Sequence, residues 1–226
     1  MVQPPEDYVP PPWLVWLRKH IYVVAGIMGV VTITALRPRL RHVPEPPPVM
    51  FQLPADVALV DQHGQPFSTA TMAGKVWVAG FVFTSCPSTC PAVTRAMGEL
   101  RARFDRMQVP VEMVSFTVDP AKDTPEVLRV YAEQAGVSEH WRFVTGDPKA
   151  VRAMVRDGFR LGIGEREPKG DAGMYDIAHS TKLALVDGDG AVRGFYDIEP
   201  DAGLDEIFHR AQHVLAEGIA ASKGRS

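Results

Sequence analysis

Apolar and polar positions follow two different regimes along this chain. Ile21 to Leu36 is an uncharged, largely apolar run of sixteen residues, bounded by Arg18-Lys19-His20 before it and Arg37-Pro38-Arg39 after it. From about Met50 onward, short apolar runs alternate with amphipathic ones. Val57–Val60 and Pro66–Ser68, on either side of Asp61-Gln-His-Gly64, predict a small hairpin. Val76 to Phe83 (VWVAGFVF) is continuously apolar, as expected of a strand buried on both faces. A helix follows, with Pro91 in its first turn, where a missing N–H costs nothing, and runs to about Arg106. Val111 to Val118 is a second strand, ended by Asp119-Pro120. Thr124 then caps a helix with Pro125 at its first position and apolar residues at Leu128, Val130 and Tyr131. Trp141–Val144 predicts a short strand, and Pro148 opens a helix ending near Gly158. Lys182–Val186 and Val192–Tyr196, separated by Asp187-Gly-Asp-Gly-Ala191, predict a β-hairpin, and Asp201–Gly218 a last amphipathic helix. Strands alternating with helices in this order imply an α/β fold, a mixed sheet with helices on both faces.

The N-terminal run is just short of the roughly 17 to 25 residues that span a bilayer. It lengthens to residues 13–36 if Arg18 and Lys19 reach to the interface, and Trp13, Trp16 and Tyr22 are residue types favoured there. Prolines 4, 5 and 10–12 precede it, and Pro44, Pro46, Pro47 and Pro48 follow. Arg37-Pro38 stands where signal cleavage wants small residues, which favours a retained anchor. The expected organisation is a tail (1–20), a transmembrane anchor (21–36, or 13–36), a stiff proline-rich spacer (37–50) and one domain (51–226). Arg37, Arg39 and Arg41 outnumber Arg18 and Lys19, so the positive-inside count alone leans towards a cytoplasmic C-terminal domain.

Composition changes little in this picture. A net charge of -3 with pI near 6.2 leaves no electrostatic footprint for nucleic acid. Neither a Walker-type phosphate loop nor an internal repeat is present.

The chemistry is concentrated in nine residues. The chain has only two cysteines, Cys86 and Cys90, both within Phe83-Thr-Ser-Cys-Pro-Ser-Thr-Cys-Pro91. They follow the first long strand and precede its helix, and ligand sites of open α/β sheets gather at strand carboxyl ends. A helix N-terminus favours negative charge and is expected to lower a thiol's pKa. Three intervening residues permit a disulfide and also let both sulfurs converge on one soft ion, Cu(I) or zinc. A neutral imidazole suits a third position. Of the histidines, His42 is juxtamembrane, His63 lies in a turn and His140 precedes a strand. His209 and His213 share a helix face at a spacing able to hold a metal, yet without a third ligand they read as an exposed face. His179, in Asp176-Ile-Ala-His-Ser-Thr181, is expected in a loop at the sheet edge just before a strand. The Gly162–Gly173 stretch, with four glycines, reads as a mobile loop able to carry it. Asp176 would orient the imidazole or sit in solvent, Met174 reads as packing, and Asp119 and Asp123 read as turn-shaping groups or acid–base groups. The residues themselves leave disulfide, copper and zinc open.

Several segments resemble, in order, those of the Sco (SenC) family of membrane-anchored copper proteins. FVFTSCPSTCP is similar to its copper-site loop, Val118-Asp-Pro-Ala-Lys-Asp-Thr-Pro125 to its VDPxxDTPxxL segment, Phe143-Val-Thr-Gly146 to a following strand, and His179-Ser-Thr-Lys-Leu-Ala-Leu-Val-Asp187 to its histidine segment. The resemblance spans roughly Leu53 to Leu215. It implies a thioredoxin-like fold with insertions, copper bound by Cys86, Cys90 and His179 in an exposed loop, and a role in building the dinuclear copper centre of cytochrome c oxidase. The implied partners are the copper-containing subunit of that oxidase and other copper chaperones or thioredoxin-like reductants. The implied location is the bacterial inner membrane, single-pass, with the domain in the periplasm, against the charge count. Ser88 departs from the acidic residue frequent between the family's cysteines. Two other chemistries use the same loop: thiol–disulfide exchange, with Cys86 attacking and Cys90 resolving, and peroxide reduction, towards which Thr84-Ser-Cys86 points.

Overall fold

The computed structural model describes residues 9–40, 47–86, 90–137, 139–168, 175–199 and 202–223. Contacts divide the chain into two units, Met1–Pro44 and Glu45–Ser226.

The first unit is one helix, α1 (Pro12–Leu40), with a break at His20, whose backbone (φ -115°, ψ 15°) is not helical. It takes in both the apolar run and the Trp13–Leu17 segment. The stretch Pro12–Thr34 is 23 residues long and apolar enough to cross a membrane; at 1.5 Å per residue it reaches roughly 34 Å. Trp16 and His20 rings lie 5.0 Å apart at the break.

The second unit is built on an eight-stranded mixed sheet in the order β1-β10-β9-β4-β5-β6-β2-β3. The strands are β1 (Phe51–Gln52), β2 (Leu59–Asp61), β3 (Pro66–Phe67), β4 (Val76–Val82), β5 (Val111–Thr117), β6 (Trp141–Thr145), β9 (Leu183–Val186) and β10 (Ala191–Tyr196). A separate two-stranded ribbon pairs β7 (Ile163–Pro168) with β8 (Tyr175–His179). The helices are α2 (Cys90–Arg106), α3 (Pro125–Gln134), α4 (Pro148–Arg152) and α5 (Ala202–Lys223). β4 and β5 run parallel from Val76↔Val111 to Val82↔Thr117, so their carboxyl ends stop side by side.

The continuous apolar runs form the central strands because both sheet faces are covered. On one face, Trp77, Phe81, Phe116 and Phe159 interlock, with Phe116 at 6.1 Å from Phe81, 6.2 Å from Trp77 and 5.4 Å from Phe159. On the other, Gly80 leaves room for the Met97 side chain of α2. There Trp141 donates to Ser115 Oγ (3.0 Å), and Ser115 reaches Met97 sulfur (3.5 Å). α5 closes this side through the stacked Phe104–Phe208 pair at 5.2 Å. The helix starts follow their capping residues. Thr124 accepts from Val127 N–H (3.4 Å), and Asp147 from Lys149 and Ala150 N–H (2.9 and 3.3 Å), each with proline at the first helical position.

Three expectations need correction. The helix opened by Pro148 is α-helical only to Arg152; Ala153–Gly158 continue as a π-helical turn, which brings Phe159 onto the aromatic cluster. Ile163–Pro168, expected in a mobile loop, form β7, because Arg166 pairs with Ile177 and Pro168 with Tyr175 across the ribbon; the rest of that loop, 169–174, lies outside the described residues. The last helix runs past Gly218 to Lys223. Phe116→Ala is expected to destabilise the domain by about 3–5 kcal/mol, against under about 2 kcal/mol for Phe116→Leu if the cluster repacks. Denaturant unfolding of the chain in detergent reads both, and equal small losses would mean that Phe116 is not at the centre of the core.

Candidate metal centre

The cysteine loop is fixed from below before its sulfurs do anything. β4 ends at Val82, and Val118 N–H donates to Val82 O (2.9 Å), which carries the pairing with β5 one step further. Directly beside it, the Asp123 carboxylate accepts from Thr84 N–H (3.2 Å), Thr84 hydroxyl (2.6 Å) and Thr117 hydroxyl (2.5 Å). Asp123 is fully buried. Burial pushes its carboxyl up, while those hydroxyls and the amide favour the charged form. The residue expected to shape a turn therefore anchors the loop that carries the thiols.

Cys86 follows a turn in which its N–H donates to Phe83 O (3.2 Å), and Cys90 is the first residue of α2. Neither is in a disulfide and both are buried, Cys86 at 9% exposure and Cys90 at 1%. Cys86 sulfur accepts from Cys90 N–H (3.3 Å), and Cys90 sulfur accepts from Phe83 N–H (3.4 Å). The expectations of an exposed loop and of a lowered thiol pKa both give way for Cys90. Desolvation by burial, and then its contact with the Cys86 thiol, push the Cys90 pKa far up, outweighing the helix terminus and the Phe83 amide. Pro87, Ser88 and Thr89 lie outside the described residues, so the Ser88 departure has no structural account.

His179 is not in a loop at the sheet edge: it is the last residue of β8, on the ribbon. Its Nδ1 lies 2.7 Å from Ile177 O and its Nε2 3.6 Å from Cys90 sulfur. With Nδ1–H donating to the carbonyl, Nε2 presents its lone pair to the sulfur, the tautomer that a metal-ligating imidazole needs. The orienting group is thus a backbone carbonyl and not Asp176, whose carboxylate accepts from Ile177 N–H (2.9 Å). Phe83 lies between thiols and ribbon, stacked on Tyr175 (5.8 Å) and edge-on to His179 (5.6 Å). Cys90 and His179, 89 positions apart in the chain, are in contact. Among the described residues, however, no three His, Cys, Asp or Glu groups are gathered at metal-holding distances.

Sequence reasoning missed the groups that hold the ribbon. Asp119 is buried, and its two carboxylate oxygens accept from the Arg166 guanidinium of β7 and the Tyr175 hydroxyl of β8. Burial, then the Asp119 contact, push Tyr175 up to about 12. Lys122 lies 4.2 Å from the Tyr175 ring centre. The signal available was the β4–β5 pairing itself, which puts the residues after each strand next to one another. The other histidines stay apart from the thiols: His63 is in its turn beside Asp61, His140 faces Glu112 and Glu139, and His209 and His213 are on α5. His42 and Met174 lie outside the described residues.

A buried dithiol at a strand-to-helix junction, faced by one imidazole on an added ribbon, defines a thioredoxin-like domain with a potential soft-metal or redox site. The comparisons narrow the class. The SCO1/SenC family model matches residues 50–215, and the chain belongs to that family. A Stutzerimonas stutzeri protein named for copper binding is 33% identical over 165 residues, covering 70% of this chain and 71% of that protein. The SCO1 protein homolog of Bacillus subtilis is 29% identical, covering 65% and 75%. Among solved structures, a SCO1/SenC family lipoprotein from Bacillus anthracis superposes with a TM-score of 0.64 at 28% identity, covering 73% of this chain and 95% of that one. BsSco, described as carrying a disulfide switch and as a member of the Sco family of cytochrome c oxidase assembly proteins, gives 0.63 at 26%, covering 75% and 96%.

The burial difference predicts unequal thiol reactivity. Iodoacetamide at pH 8 is expected to label Cys86 at least about tenfold faster than Cys90 in the reduced chain. Peptide mass spectrometry reads the ratio, and faster labelling of Cys90 would contradict its burial.

Proposed function

We propose that this chain carries copper as cargo, held by Cys86, Cys90 and His179, and serves the assembly of the copper centre of cytochrome c oxidase. The observation that carries the reading is the 3.6 Å approach of His179 Nε2 to Cys90 sulfur, with Nδ1 already engaged by a carbonyl. Two thiolates and an imidazole suit Cu(I). The relatives named for copper binding and the Sco family of oxidase assembly proteins support the same cargo and destination. Cys86 must swing its sulfur towards the Cys90–His179 pair for all three donors to meet one ion, and both thiol protons leave as the metal enters. Transfer then proceeds by ligand exchange, incoming thiolates replacing these donors one at a time. The acceptor in this reading is the copper-containing oxidase subunit, with other copper chaperones or thioredoxin-like reductants supplying copper or electrons.

In the same reading the Pro12–Thr34 stretch of α1 is a single-pass anchor in a bacterial inner membrane. The residues between Leu40 and position 50 are a spacer in place of the expected 37–50, because the helix runs on to Leu40, and residues 51–226 are the copper domain on the periplasmic side. A C-terminal alkaline phosphatase fusion should be active; an inactive phosphatase beside an active cytoplasmic reporter would reverse the orientation.

The reduced full chain in detergent is expected to bind about one Cu(I), with X-ray absorption reporting two sulfur donors and one nitrogen donor. Cys86→Ser or Cys90→Ser should abolish stoichiometric binding, and His179→Ala should remove the nitrogen and weaken binding by at least about tenfold. Copper retained in full by the double serine variant would overturn the reading. The contact between the two thiols also favours a second one, a dithiol that exchanges with a partner disulfide. That reading needs no imidazole, so a His179→Ala protein with full activity in oxidase assembly would favour it.

A further inference from the structure

Among the described residues, the ribbon that carries His179 shares no backbone ladder with the eight-stranded sheet, yet its imidazole arrives against Cys90. Something other than sheet pairing must set that distance. Besides an exposed Arg152–Glu165 pair (3.4 Å) between α4 and β7 and a bond between Ser85 and Tyr175, the buried polar contacts on the described residues centre on one group. Asp119 stands just past the end of β5, its own N–H tied to Thr117 Oγ1 (2.9 Å), and Thr117 in turn bonds the Asp123 that anchors the cysteine loop. Asp119 gives one carboxylate oxygen to Arg166 on β7 and the other to Tyr175 on β8. One rigidly seated residue therefore grips both strands of the ribbon and is linked, through two side chains, to the loop carrying the thiols.

We propose that Asp119 is the positioning residue for His179, a clamp that fixes the ribbon so that the imidazole faces Cys90. Tyr175 and His179 lie on the same side of β8, since strand side chains alternate, and they are four residues, roughly 13 Å, apart. Ile177, between them on that side, is buried. Phe83 touches both the Tyr175 and His179 rings, so a shift at the clamped end is passed along one packed row to the imidazole. Releasing the clamp lets the ribbon drift, and the imidazole leaves the sulfur without any change in the thiols themselves. In metal terms this deepens, and rests on, the copper-site reading; as a statement about where His179 sits, it does not need a metal.

The test has two arms on the full chain in detergent. In the metal-free arm, diethylpyrocarbonate modification of each histidine is followed by peptide mass spectrometry. Asp119→Asn, which keeps the shape, is expected to raise the His179 rate severalfold while His63 and His140 keep theirs; Tyr175→Phe, which removes one donor, should raise it less. In the metal arm, Cu(I) affinity is measured by competition with bicinchoninate. Asp119→Asn should weaken binding by about 10- to 100-fold, but by no more than about twofold when His179 is already alanine. Unchanged His179 modification in both variants overturns the clamp, and so does a full Asp119→Asn loss in the His179→Ala background, since the residue would then act on the thiols or on folding. If wild type and His179→Ala bind copper equally, the copper-site reading fails, and the modification rates still decide the clamp.

Discussion

Two parallel strands ending side by side decide where the chemistry of this chain can be. β4 and β5 are paired through Val82↔Thr117, and the Val118–Val82 hydrogen bond extends the match by one residue. The chain leaves both strands at the same place. One exit carries the cysteines and the other Asp119 and Asp123. Each strand is buried over nearly its whole length, so a slip of register would turn Trp77, Phe81 and Phe116 out of their shared cluster, and packing forbids it. The site inherits that rigidity: Asp123 meets Thr84, and Asp119 meets the ribbon, because the core has already fixed the ends from which they project.

The thiols show how magnitudes choose between two correct expectations. A helix N-terminus stabilises a negative group by about 0.3–1 kcal/mol. Removing a thiolate from water costs more: full burial moves a pKa by up to about 3–5 units, each about 1.36 kcal/mol. With Cys90 almost wholly enclosed and Cys86 as its neighbour, desolvation wins, and the sulfur stays a neutral thiol until a cation or an exchange partner compensates its charge. Entry of a cation therefore has to be coupled to proton loss.

Much of the domain was legible because its signals are local. The run of seven apolar residues in β4, the Thr124-Pro125 and Asp147-Pro148 starts, and the turn at Asp187, whose carboxylate accepts from Asp189 and Ala191 N–H, each specify an element within a few residues. The π-helical turn after Arg152 was not legible, since its cause is tertiary: Phe159 has to reach the aromatic cluster. β7 was hidden for a related reason. Its residues are mostly exposed and charged, and only the facing strand makes it a strand. In the site, two cysteines four apart announce themselves, and family resemblance singled out His179. The roles of Asp119, Asp123, Tyr175 and Arg166 depend on which chain segments abut, and composition and periodicity are silent on that.

The separate ribbon is itself informative. An imidazole on a central strand would be held by ladder hydrogen bonds on both sides, and its distance to the sulfurs could change only if the sheet did. On β8 it is held by side chains: a carboxylate between an arginine and a tyrosine, an aromatic stack and one buried isoleucine. Such attachments are adjustable one contact at a time, whereas Cys90 opposite is the buried first residue of a helix packed on the central strands. A site that must gain and give up a ligand without unfolding suits that asymmetry, with Cys90 seated on the core and another donor, His179, on an element whose seating can be altered independently.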